Sequence, residues 1–258
     1  MHRKALMHQT KYRIRLSTLL LACYIGFPHV IRAFEMEVYR NESMPWCGTV
    51  NNEHSGITID ILKALTKFGG PKFKFSTLPW ARAQRMVLNN SKAGIIPLTR
   101  TKAREKQYTW LINLVENKGR MTYAKSPTNK VILPNPLSYN NIKSRRIGII
   151  RSSAFIPTLK QDGFKNIFET HDAEALVKML AEGRIDVMVE SSMVDTYMWK
   201  KNGYATGTLL AGPNVGGVKH IYLGAAPDFP SDKKEIIRTA FNKLRQSGEL
   251  ERILQKWQ

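Results

Sequence analysis

Cysteine is nearly absent: the 258 residues contain two, Cys23 and Cys47. Once the leader described below is removed only Cys47 remains, so an internal disulfide is excluded and the fold must rest on apolar packing. Acidic residues are scarce too, 20 against 40 lysines and arginines. No uninterrupted apolar run reaches the roughly 20 residues that a membrane-spanning helix needs. The longest apolar stretch, residues 16–31, is broken by Ser17, Thr18, Gly26, Pro28 and His29. Internal repeats, low-complexity tracts and long linkers are missing, which excludes solenoid and disordered classes. His54, His171 and His220 show no metal-ligand spacing, and no nucleophile–base pair is legible, so neither metal nor cofactor is expected.

What is present begins at the amino terminus. Residues 1–15 carry Arg3, Lys4, Lys11, Arg13 and Arg15 and no acid; the apolar stretch follows, and Ile31-Arg32-Ala33 ends on a small residue. That order is the order of a secretory signal, residues 1–33, cleaved after Ala33. Pro28 and His29 speak against a membrane anchor. Leu20-Leu21-Ala22-Cys23 loosely resembles a lipoprotein processing site, but the apolar run continues through Tyr24, Ile25 and Phe27, so lipid anchoring at Cys23 is the secondary reading. Cleavage leaves 225 residues, enough for two small domains or one large one. Taking the leader's six basic residues from the net charge of +20 leaves +14. Such a charge suits nucleic acid, an anionic membrane surface or anionic solutes, and reads equally as a solvated basic surface. The lysines are scattered and no basic stretch is interleaved with aromatics, so nucleic acid is not an expected partner.

Short strands alternate with amphipathic helices, the pattern of parallel α/β sheets. Residues 34–39 read as a first strand. Ile57, Ile61, Leu62, Leu65 and Phe68 share a helical face that Gly69-Gly70 ends. Phe73 and Phe75 mark a second strand, residues 80–89 a second helix, and Ile95-Ile96 a strand leading into a polar loop. Residues 124–136, rich in proline and polar residues, mark a boundary. Alternation restarts with a strand over 146–150 and a helix over 173–182, capped by Asp172 and ended by Gly183. A buried strand over 185–189, a glycine-rich break over 212–217, a strand over 221–225 and two closing helices complete the chain.

Several segments then carry a resemblance in a fixed order. They are Gly56-Ile57-Thr58-Ile59-Asp60-Ile61-Leu62, Leu78-Pro79-Trp80-Ala81-Arg82-Ala83, the stretch from Pro97 to Glu105, Ile147-Gly148-Ile149-Ile150-Arg151-Ser152-Ser153, and Glu182-Gly183-Arg184-Ile185-Asp186-Val187. In this order they resemble bacterial extracellular solute-binding proteins of family 3, the amino-acid-binding type. The resemblance implies an α/β, two-lobed periplasmic-binding-protein (Venus-flytrap) fold with two hinge crossings, near residues 121–125 and 216–220. Lobe 1 is then 34–124 plus 219–258, and lobe 2 is 125–218. It also implies a periplasmic monomer that closes around a small carboxylate-bearing ligand and passes it to a membrane permease or receptor, without catalysis. The alternatives are a sensing module without a transporter and a dehydratase-like enzyme on the same scaffold, with Glu190 as its acid.

By the same resemblance Arg104 clamps the ligand's carboxylate, with Thr99 and Thr101 beside it. A guanidinium suits that role because its planar fork pairs two carboxylate oxygens. Ser152 and Ser153 are expected to offer a hydroxyl and backbone amides to the same group, and Trp46 an aromatic face to the side chain. Trp46 stands in a loop between Pro45 and Cys47, where a tryptophan is not easily buried. Trp80 and Arg82 open a helix that faces the cleft. Amino-acid binders commonly carry an aspartate for the ligand's ammonium where this chain has Ser191, preceded by Glu190. Either Glu190 substitutes, or the ligand is an anion without an amine.

Overall fold

A computed structural model describes residues 34–117, 119–124 and 137–257. The expected signal with its cleavage site and Cys23 lies outside the described residues, as does most of the 124–136 boundary. The first stretch runs β1 (Glu35–Arg40), a hairpin of β2 (Gly48–Val50) and β3 (Glu53–Ser55), α1 (Ile57–Lys67), β4 (Lys72–Thr77), α2 (Trp80–Leu88), β5 (Gly94–Thr99), a 3-10 turn (Lys102–Arg104) and β6 (Thr109–Asn117). There follow β7 (Gly119–Ala124), β8 (Ile147–Ile150), α3 (Ile156–Gln161), β9 (Ile167–Thr170), α4 (Ala173–Ala181), β10 (Val187–Ser191), α5 (Ser192–Lys201) and β11 (Leu209–Asn214). The chain closes with β12 (Lys219–Ala225), α6 (Ser231–Gln246) and α7 (Glu249–Lys256).

Two five-stranded sheets result, ordered β4-β1-β5-β12-β6 and β11-β7-β10-β8-β9. In the first, β1 pairs parallel with β4 and β5, while β12 returns antiparallel between β5 and β6. The architecture is therefore α/β and two-lobed. By sheet membership the first crossing lies between Asn117 and Gly119, earlier than the expected 121–125, because β7 belongs wholly to the second sheet. Gly119 is needed at that point: a Cβ there would lie 2.3 Å from the Phe155 ring. The second crossing lies between Asn214 and Lys219.

Local causes are clear at the helices nearest the cleft. α1 buries Ile57, Ile61, Leu62 and Leu65. Its first turn docks on the preceding loop, where Pro45 O accepts from Ile57 N and Trp46 O from Thr58 N and Thr58 Oγ1. Gly56, at φ 126°, permits this approach, since a Cβ would lie 2.7 Å from Trp46 O. In the second lobe Asp172 caps α4, its Oδ1 accepting from Ala175 N at 2.7 Å. Asp172→Ala should lower stability by about 1 kcal/mol, read as an earlier urea midpoint with an unchanged slope.

Two local expectations need correction. β5 continues through Pro97-Leu98-Thr99, where a polar loop was expected, because β12 supplies its antiparallel partner. β11 runs through Gly212-Pro213 into the expected glycine-rich break; it is an edge strand, where a proline sacrifices no ladder bond. No helix among the described residues is long and apolar enough to cross a membrane.

Candidate functional site

Where the two sheets face each other, strand ends from both converge on one small cavity. Asn41 follows β1, Thr99 ends β5 and Asn117 ends β6, while Ile150 ends β8 and Glu190 stands near the end of β10. The carboxyl ends of strands are where open α/β sheets leave room for ligands, since no helix covers them there. The cavity is about 50 Å³, room for no more than a few waters, so the lobes stand close together.

Arg104 forms the wall between them. It is 8% exposed, and its 3-10 turn hangs from Thr101 O, which accepts from Arg104 N at 3.0 Å. Nη1 donates to Thr99 O at 3.1 Å, and Nη2 to Gln84 Oε1 at 3.1 Å and across the cleft to Ser152 O at 2.7 Å. Ser152 sits in the left-handed region at φ 62°, a conformation rare for a residue with a Cβ, and this turn presents its carbonyl to Arg104. Among the described residues no carboxylate pairs with Arg104, and burial holds its pKa below the ordinary value. A buried cation held only by neutral acceptors is a costly arrangement until an anion arrives.

The opposite wall is acidic. Burial pushes the Glu190 carboxyl up to about 7, opposed only by Ser191 N, which donates to Oε1 at 2.9 Å. Behind it Asp195 of α5 is 2% exposed and held well above the usual carboxylate range by burial and by the charge of Glu190. Thr122 Oγ1 donates to Asp195 Oδ2 at 2.8 Å and the charge of Arg120 lowers it, without cancelling the rise. Two further atoms of cavity-lining residues are buried without partners, Asn41 Oδ1 and Trp46 Nε1. The pocket thus offers an unneutralised cation and a proton-holding acid, and two of its lining residues carry a buried donor and a buried acceptor without partners. Burying such groups unmade costs about 1–3 kcal/mol each, which a bound polar molecule would recover.

Of the expected residues, Trp46, Trp80, Thr99, Arg104, Ser153 and Glu190 line the cavity. Trp46 is buried at 5%, contrary to the expectation from its loop position, because the loop is tied down by the Ser43–Cys47 bridge and the start of α1. Four residues do not line it. Arg82 is exposed on the outer side of α2, and Thr101 serves the turn. Ser191 is 1% exposed and faces away, since neighbouring strand residues point to opposite sides. Ser152 contributes a carbonyl in place of the expected hydroxyl, and the Ser153 amide is occupied by Ile150 O at 3.0 Å, so the expected cradle of amides and hydroxyls is reduced. Asn41, Gln84, Asn117 and Asp195 went unread; Asn41 and Asn117 had only their place at strand ends to signal them. The Cys47 thiol is fully buried, and burial pushes it up to about 12, away from the thiolate form.

The profile of bacterial extracellular solute-binding proteins, family 3, matches residues 38–258. The chain belongs to that family. No curated protein sequence matches this family-3 protein, whereas solved structures match it along nearly the whole described length. A mutant of ArgBP from T. maritima superposes with a TM-score of 0.73 at 16% identity, over 86% of this chain and 94% of that one. A histidine-bound substrate-binding protein of an ABC uptake transporter from Streptococcus pneumoniae gives 0.74 at 14% identity, over 86% and 92%. A histidine kinase sensor domain similar to periplasmic binding proteins gives 0.77 at 14%, over 88% and 96%. At these identities the likeness establishes the fold; these structures include both transport and sensing proteins.

Proposed function

We propose that this family-3 protein is exported to the periplasm, binds a small carboxylate-bearing ligand between its lobes without transforming it, and delivers it to a membrane permease. The observation that carries the reading is Arg104: a buried guanidinium in the cleft, touching both lobes, with no carboxylate among the described residues to pair it. A ligand carboxylate would take the place of Ser152 O on Nη2 and supply the missing charge. Trp46 Nε1 and Asn41 Oδ1 would serve the ligand's other polar groups, and Trp80 would pack beside it. Closure follows because such a ligand touches both lobes only when they are together.

The test is a melting-temperature screen of the mature protein against amino acids, dicarboxylates and amine-free small anions. A molecule that binds only the folded state raises the midpoint by mass action. The expected result is a shift with one carboxylate class, and none with its amide or ester. Shifts with neutral sugars alone, or turnover of the bound acid, would overturn the proposal.

A further inference from the structure

A second groove lies away from the cleft, along β6. In the first sheet β6 is an edge: among the described residues it pairs with β12 and with no strand on its other side. Its first half, Thr109 to Asn113, forms one wall of a groove of about 640 Å³, and α6 forms the other. Arg238 Nε of α6 donates to Leu111 O at 3.2 Å, which sets the helix alongside the strand. Lys234, Arg238 and Arg245 all line the groove, as does Phe241, a spacing that puts them on one helical face. None of the three cations is ion-paired among the described residues, and no acidic side chain lines the groove. At the groove's end Arg100, paired with Glu105, lies 5.3 Å from the ring centres of both Trp110 and Tyr222.

We infer that this groove is a docking surface for an extended acidic segment of a partner protein, added to the sheet as a strand beside β6. Free edges offer backbone groups to an incoming strand. The cationic stripe from Lys234 to Arg245 is about 16 Å long at 1.5 Å per helical residue. An extended chain places same-side residues about 6.8 Å apart, so three carboxylates at alternate positions span about 14 Å, within reach of the long cationic side chains along the stripe. Arg238 makes room in the process: a carboxylate is a stronger acceptor for it than Leu111 O, and the released carbonyl can then accept from the arriving strand. The same β6 ends at Asn117 in the ligand cavity, so the docked strand would lie on an element that also meets the ligand.

The probe is a fluorescein-labelled decapeptide alternating glutamate and threonine, titrated against the whole mature protein by anisotropy. Saturable binding is expected, with amide exchange slowed over residues 109–113. The double variant Lys234→Glu, Arg245→Glu should weaken it at least tenfold at an unchanged melting temperature, whereas Lys234→Arg, Arg245→Lys should stay within about threefold. The inference is overturned if the peptide does not bind, if the reversal leaves affinity unchanged, or if a backbone N-methylated peptide binds equally well. A sulfated oligosaccharide that binds as tightly, without slowing those amides, would also overturn it, by marking a general polyanion patch.

Discussion

Arg104→Ala should sharply weaken binding of whichever carboxylate the melting screen identifies. Truncating one partner of a buried, hydrogen-bonded charge pair costs roughly 2–5 kcal/mol, about 30-fold to several thousand-fold in Kd. Arg104→Lys should recover only part of this, because an ammonium keeps the charge but not the planar fork. The empty protein should suffer less than the complex. In it Arg104 is a desolvated cation held by three neutral acceptors, so its removal gives back a desolvation cost along with those bonds. The bond from Nη2 to Ser152 O also joins the lobes, so the empty variant should scatter as a more open particle than the wild type. Calorimetric titration and small-angle scattering read the two effects separately. Undiminished affinity in the alanine variant would remove the carboxylate clamp from the proposal.

The fold was legible because its signals are local and periodic. The apolar face of α1, the Asp172 cap and the restart of α/β text at Ile147 are each properties of a few neighbouring residues. The sheet order is not local, and the long β6–β7 passage went unread: β6 runs apolar without alternation over Trp110-Leu111-Ile112, and β7 alternates over only the four residues from Arg120 to Tyr123. The first crossing was misplaced for the same reason: only the pairing of β7 with β10 and β11 shows which sheet it joins.

The site divides along the same line. Arg104 and Thr99 stand in a motif and line the cavity, whereas Thr101 of the same motif serves the turn. Asn41 carries no sequence signal beyond following a strand, and its unpaired Oδ1 becomes visible only when its surroundings are known. Strand parity decides between Glu190 and Ser191. Val187 and Val189 pack into the second lobe's cluster with Met121 and Phe155, while Met188 packs into the other cluster with Leu176 and Trp199. Glu190 shares the side of Met188 and reaches the cavity, and Ser191 shares the opposite side. The acid is therefore in the cleft although it stands one position before the one expected for it.

That acid sets the second large effect. The Glu190 carboxyl keeps its proton to about pH 7 in the folded protein, against 4.5 for an ordinary glutamate. Between these values the folded state binds more protons than the unfolded chain, so stability falls as pH rises. The loss is complete above pH 7 and on the order of 3 kcal/mol; Asp195, raised by the same burial, adds to it in the same direction. Glu190→Gln should therefore melt higher than wild type at pH 8 and equally at about pH 3.5, below both carboxyl values, where both side chains are neutral. Identical pH slopes for the two proteins would show that the carboxyl titrates normally. The ligand's chemistry then follows from the same variant. An ammonium group pairs with the ionised carboxylate, so an amine-bearing ligand should bind more tightly at pH 8 than at pH 5.5 and lose that gain in Glu190→Gln. An amine-free anion meets repulsion from the same carboxylate, so its affinity should fall as pH rises in the wild type and stay level in the variant.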